Sequence, residues 1–194
     1  MYSRLLKETA TRDAEVWFEY AAVQLLAGDR QGYRRTCQQM LEGAAKAPKM
    51  RPYLVARAGT LAPDSVEDSM RLLQVSTQKL QQFAKSFWSL TEQGALNYRT
   101  NRFKEAVPLL KRSIQEEPKH GAAVVNWLWL ALAYHKMGEP EEARRWLDKA
   151  GAWLDSMGNA LPGNAADLNL HPHNWLEAHV LRREAETLLA SASR

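Results

Sequence analysis

The chain has 194 residues, 45% hydrophobic and 25% charged, with a formal net charge of +4. That balance, with seven tryptophans, is globular and excludes disorder over most of the length; so mild a basic excess is no nucleic-acid footprint unless it clusters on one face. Cys37 is the single cysteine, which rules out an internal disulfide and fits a reducing compartment, while the start Met1 to Glu8 lacks a signal-peptide core and no apolar run reaches the ~20 residues that span a bilayer. A soluble, cytoplasmic protein without a membrane partner is expected.

In chain order, apolar periodicity and turn residues predict helical hairpins. The first covers 14–47, with Trp17 as a large residue, Ala21 as a small one, the turn Ala27-Gly28-Asp29-Arg30, then Tyr33 and Cys37 on the second helix. The next covers 51–82 and breaks at Ala62-Pro63-Asp64-Ser65, where Ser65 with Asp68 resembles a capping box; Ala56, Ala58, Ser69 and Ser76 supply small residues. A third hairpin covers 87–120, with Asn101 read as the N-cap of its second helix. In the fourth, 124–157, Gly138 suits a left-handed helix end, Pro140 the first turn of the next helix, and Glu141 with Glu142 the positive end of that helix dipole. Residues 158–173, rich in Gly, Asn and Pro, read as a long loop. A closing helix over 174–191 follows, with Asn174 as its N-cap and Trp175, Ala178, Val180, Leu181, Ala185, Leu188 and Leu189 apolar.

The third and fourth hairpins align when Ala106 is set against Ala143. Leu90 then faces Trp127, Gly94 faces Ala131, Leu110 faces Leu147, Ser113 faces Ala150 and Pro118 faces Asp155. Small residues at the Gly94 and Ala106 positions let two helices approach, and large ones fill the flanks. The pattern resembles the tetratricopeptide repeat family, with a large residue, Leu-Gly and Tyr on the first helix and Ala, Phe, Ala and Pro on the second, at a period of about 34 residues. It departs at Leu110 and Leu147, which replace the aromatic, and at Asn97, which stands where Tyr is expected. The resemblance covers nearly all of 14–155. It implies an all-α fold: one domain, 1–194, built as a right-handed α-α superhelix of about four hairpins with a C-terminal capping helix. It also implies a protein-binding module, not an enzyme, that needs no cofactor. A narrower resemblance, carried by Trp17 through Arg35, by Gly94 through Val107, by Glu142 through Ala150 and by Trp175 through Glu186, is to helical-repeat tails of large bacterial proteins that carry a Ser/Thr kinase domain or a β-propeller. That implies scaffolding within a signalling protein, although this chain holds no kinase motif.

In the family, partners lie along the concave face lined by first helices. Here that face carries Phe18 in the first copy and Leu54 in the second. Trp88, Thr91, Tyr98 and Arg99 follow in the third, then Leu128, Leu132, His135 and Lys136 in the fourth. The set is mostly apolar, which argues against gripping a C-terminal carboxylate through a Lys-Asn-Arg set and favours a protein or peptide partner such as an amphipathic helix. The chain's own N- or C-terminal segment is an alternative occupant, and self-association into a homo-oligomer stays open. A rival reading uses Arg34-Arg35, Arg144-Arg145 and Arg182-Arg183 as a convex nucleic-acid stripe; interleaved Glu142, Asp148 and Glu184 favour a solvated face instead. His171, His173 and His179 lack carboxylate or cysteine partners at ligand spacing, so no metal is expected. Cys37 lies on a core position without a histidine near it, and reads as core.

Overall fold

The computed structural model describes residues 14–44, 52–63, 65, 86–118, 121–157 and 170–191, and all regular structure among them is helical. The chain divides into two compact units, Met1–Phe83 and Ala84–Arg194.

The first unit holds α1 (Ala14–Leu26), α2 (Arg30–Ala44) and α3 (Pro52–Thr60), each packed on the other two. Phe18, Ala21 and Ala22 of α1 are buried, as are Tyr33, Cys37, Met40 and Leu41 of α2 and Leu54 and Ala58 of α3. Tyr33 stands where the repeat wants a small residue. Its ring is accommodated because its hydroxyl donates to the Ala58 carbonyl at 2.7 Å and accepts from the Ala62 N–H at 3.1 Å, so the polar tip is satisfied inside the unit. The second helix expected over 66–82, with Asp68, Ser69 and Ser76, lies outside the described residues. Ser65 is described, and its hydroxyl donates to the Gly59 carbonyl.

The second unit holds α4 (Phe87–Arg99), α5 (Phe103–Glu116), α6 (Ala123–Lys136), α7 (Pro140–Ser156) and α8 (Pro172–Ser191). Ser86 caps α4 by accepting from the Ser89 N–H at 3.2 Å. Helix α4 packs on α5, α5 on α6 and α6 on α7, the alternation of a hairpin array. A Cβ at Gly94 would lie 2.5 Å from Leu110 Cδ2, so α4 and α5 approach there as closely as the sequence pattern requires.

Three turns repeat one geometry. The N–H groups of Asp29, Arg102 and Glu139 reach back to the carbonyls of Gln24, Asn97 and Tyr134 at 2.8, 2.8 and 3.0 Å. The residue before each, Gly28, Asn101 or Gly138, is left-handed, with φ of 81, 61 and 77°. The carbonyls of Asp29, Arg102 and Glu139 then accept from the N–H groups of Tyr33, Ala106 and Ala143. These bonds make Tyr33, Ala106 and Ala143 structurally equivalent, the register read from the sequence. They also correct Asn101: it takes the left-handed turn position of Gly138, and Arg102 stands at the N-cap without a side-chain cap bond. Asparagine tolerates that conformation better than other residues with a Cβ.

A buried polar cluster joins α4, α5 and α6. Ser113 donates to the Phe87 carbonyl at 2.8 Å and lies 3.0 Å from the Thr91 hydroxyl, and Asn126 Nδ2 donates to Ser113 at 3.0 Å. Around α6, Leu128, Trp129, Leu130 and Leu132 are fully buried in one apolar cluster that also holds Ala178, Leu181, Ala185 and Leu189 of α8. Helix α8 begins at Pro172, ahead of the expected Asn174; the His171 carbonyl accepts from the N–H groups of Asn174 and Trp175, which places Asn174 inside the first turn.

Candidate partner-binding face

The residues expected to line the face fall into three settings. In the first unit Phe18 and Leu54 are fully buried, and the Arg57 guanidinium lies over the Phe18 ring at 5.1 Å. In the second unit Thr91, Tyr98, Leu128 and Leu132 are buried, Thr91 within the polar cluster of Ser113. Trp88, Arg99 and His135 are partly buried, and Lys136 is exposed. Trp88 meets Phe87 edge-on at 5.1 Å. Burial lowers the His135 pKa, with a smaller push from the Lys136 charge.

Two of these residues come together in one assembly. Tyr98 packs against Trp129 of α6 at 5.4 Å. The Arg99 guanidinium sits 4.9 Å from the Trp129 ring and 5.2 Å from the Tyr98 ring. Its two terminal nitrogens donate to the two carboxylate oxygens of Glu184 on α8, each at 2.6 Å. The pair is mostly shielded, with side-chain exposures of 11% and 21%. Burial raises the Tyr98 pKa, and the Glu184 charge adds to it, so the phenol stays neutral. A planar guanidinium held on two aromatic faces is aimed for two-pronged recognition of a carboxylate.

Helix α8 thus lies over the first-helix side of the array. It packs more on α6, a first helix, than on α7, a second helix; α6 itself does the reverse, packing more on α5 than on α4. Along α8 the residues Ala178, Leu181, Ala185 and Leu189 recur at helical spacing and are buried with the α6 leucines. A second ionic tie holds α8 to α7: Arg182 donates to Asp155 at 2.6 Å and to Glu186 on its own helix at 2.8 Å. The hydrogen bond from Arg182 lowers the Asp155 pKa, and the bonds to Asp155 and Glu186 raise that of Arg182. Asp155 is 66% exposed, so this tie is the weaker of the two.

Neither Trp129 nor Glu184 is marked by the sequence pattern as part of the face. Trp129 sits one position beyond the expected stripe. Glu184 reads as a solvating acid, and only the fold shows it meeting an arginine 85 residues away.

The remaining candidates have the following surroundings. Arg145 pairs with Glu142 at 2.8 Å and lies over Trp146, while Lys149 sits 4.3 Å from the Trp127 ring. The His171 and His173 rings lie tilted against each other at 4.3 Å, and the His179 ring packs on Trp175 at 4.0 Å, where burial lowers its pKa. Cys37 is buried, and burial pushes its thiol up to about 12, the reverse of an activated nucleophile. No helix among the described residues is long and apolar enough to cross a membrane.

A family model described as tetratricopeptide repeat matches residues 98–156, the span from the end of α4 through α7. No curated protein and no solved structure matches the chain. Tetratricopeptide repeats in general mediate protein–protein interaction, and the hairpin register, the Gly94–Leu110 approach and the family match agree that residues 98–156, helical hairpins among the described residues, are similar to tetratricopeptide repeats.

Proposed function

We propose that this chain is a protein-interaction or scaffolding module, without chemistry of its own, that holds a peptide or partner helix along the first-helix face of its second unit. One observation carries the reading: that face, built from Tyr98, Arg99, Leu128, Trp129 and Leu132, accepts an amphipathic helix, because α8 lies on it. A role inside a larger signalling protein is the setting suggested by the likeness to bacterial helical-repeat tails. The nucleic-acid alternative is less well supported, since Arg145 and Arg182 spend their charge on Glu142, Asp155 and Glu186.

The test is selection from a library of displayed helical peptides against the full chain. A photo-crosslinking residue is placed at Trp88, at His135, or at Arg144 on α7 as a control. Selected peptides are expected to crosslink from positions 88 and 135 and not from 144. Their affinity should change little between low and moderate salt, whereas a phosphate-driven ligand would lose affinity steeply. Crosslinks from the control position alone would move the interface to the other side of the array.

A further inference from the structure

We infer that α8 is a displaceable occupant of the α4–α6 face, and that the partner replacing it is an amphipathic helix carrying a carboxylate for Arg99. The inference rests on the interaction reading above and names the partner's chemistry. Everything that recognises Glu184 belongs to the repeat array: the guanidinium comes from the last turn of α4, and its two aromatic supports come from α4 and α6. The receptor is therefore assembled whatever helix lies above it. The first turns of α8 bury His173, Asn174 and Glu177, but the stretch that packs with the α6 leucines is generic. Two alanines and two leucines, Ala178, Leu181, Ala185 and Leu189, sit at steps of three, four and four, a pattern that many amphipathic helices supply.

Specificity then comes from the carboxylate. Glu184 stands one residue before Ala185, on the flank of the apolar stripe rather than opposite it. A competing helix needs its Asp or Glu at that offset to meet Arg99; one lacking it forfeits the two charge-assisted bonds that Glu184 makes. The second tie, from Arg182 to an exposed Asp155, holds α8 in place weakly. Since α8 is part of the same chain it competes at high effective concentration, so an outside helix binds only by matching or exceeding its contacts.

The experiment uses the full chain, its Glu184→Gln variant, and two labelled synthetic peptides: a copy of residues 172–191, and the same peptide with glutamine in place of Glu184. The substitution keeps the shape and the apolar stripe while removing the charge. Native-state hydrogen exchange is expected to show α8 amides opening before those of α6 and α7, and further before them in Glu184→Gln. The copy peptide should bind the variant about tenfold more tightly than the parent chain, an effect of about 1.4 kcal/mol. It should also bind the variant about tenfold more tightly than the glutamine peptide does. If α8 amides exchange only together with α6 and α7 in both chains, α8 is fixed core and the inference is overturned, with the interaction reading intact. If α8 opens but the two peptides bind equally, carboxylate recognition is overturned. If α8 opens and neither these nor library-selected helices bind, the interaction reading itself falls. Sedimentation of the same samples covers the remaining occupant: a variant that dimerises by exchanging α8 would assign the face to a second copy and overturn a foreign partner.

Discussion

A Cβ at Gly94 would lie 2.5 and 2.6 Å from Leu110 Cδ2 and Cγ, whereas one at Gly138 would meet nothing within 4 Å. Gly94 is required for room and Gly138, at φ 77°, for its backbone conformation. The two therefore respond differently to alanine. At Gly94 a gain in helix propensity of about 1 kcal/mol opposes an overpacking cost of roughly 1–3 kcal/mol, so Gly94→Ala is expected to lose about 1 kcal/mol. In a Leu110→Ala background the clash disappears and the same change should stabilise. At Gly138 alanine should cost about 1 kcal/mol in either background, because the strain is local to the turn. Urea denaturation of the four combinations checks this. A Gly94→Ala effect of the same sign in both backgrounds would show that Leu110 is not the obstacle. Gly94, Gly28 and Gly138 were legible from the repeat pattern and turn chemistry. Asn101 was not, because the residue that suits a left-handed turn is also a favoured N-cap. The left-handed φ of Asn101 and the bond from the Arg102 N–H to the Asn97 carbonyl decide between the two.

Between elements, the repeat pattern and the local chemistry disagree at Ser113. It occupies the place of Ala150, where a small apolar residue packs hairpin against hairpin. Here its hydroxyl bonds the Phe87 carbonyl and Asn126 and lies beside Thr91, tying three helices together at a fully buried point. A change toward the family residue, Ser113→Ala, is thus expected to destabilise by about 1–3 kcal/mol, because it strands buried polar groups. Combining it with Asn126→Leu should cost less than the two single losses added, since a polar pair is removed together. An unchanged thermal midpoint for Ser113→Ala would mean that packing alone sets this contact. The sequence made α4 to α7 readable as elements because each carries its own period and turn. It gave α8 as a capping helix and the C-terminal segment as one possible occupant of the face without deciding between them, since a closing helix can extend the stack or turn back over it with the same amphipathic stripe. The Arg99–Glu184 contact that distinguishes these arrangements spans 85 residues, and no local pattern encodes it. For the same reason Leu128 and Leu132 were legible as apolar and on the first-helix side, while their burial with the α8 leucines was not.

At the scale of the whole molecule, the two units carry separate natural probes. Trp17 is the one tryptophan of seven in Met1–Phe83, so the fluorescence of the chain reports mainly on Ala84–Arg194. Cys37, the single thiol, reports on the first unit alone. Its burial raises the pKa from 9.0 to about 12, against a smaller opposing effect of the hydrogen bond with Tyr33. The folded state therefore holds its proton more tightly than the unfolded state does. The resulting stability is complete below pH 9 and is lost as pH rises from there towards 12, so alkaline conditions should weaken the first unit. At pH 8 the raised pKa leaves the folded thiol with far less thiolate, and so less reactive, than the unfolded one, before any shielding by burial. Labelling with a thiol reagent at pH 8 is expected to be slow in buffer and to accelerate with urea as the α2–α3 contacts open. Tyr33→Phe, which removes the bonds to Ala58 and Ala62, should shift that acceleration to lower urea. Rapid labelling in buffer without urea would mean that α2 opens locally around Cys37, and that the Tyr33 hydroxyl does not hold α3 against it.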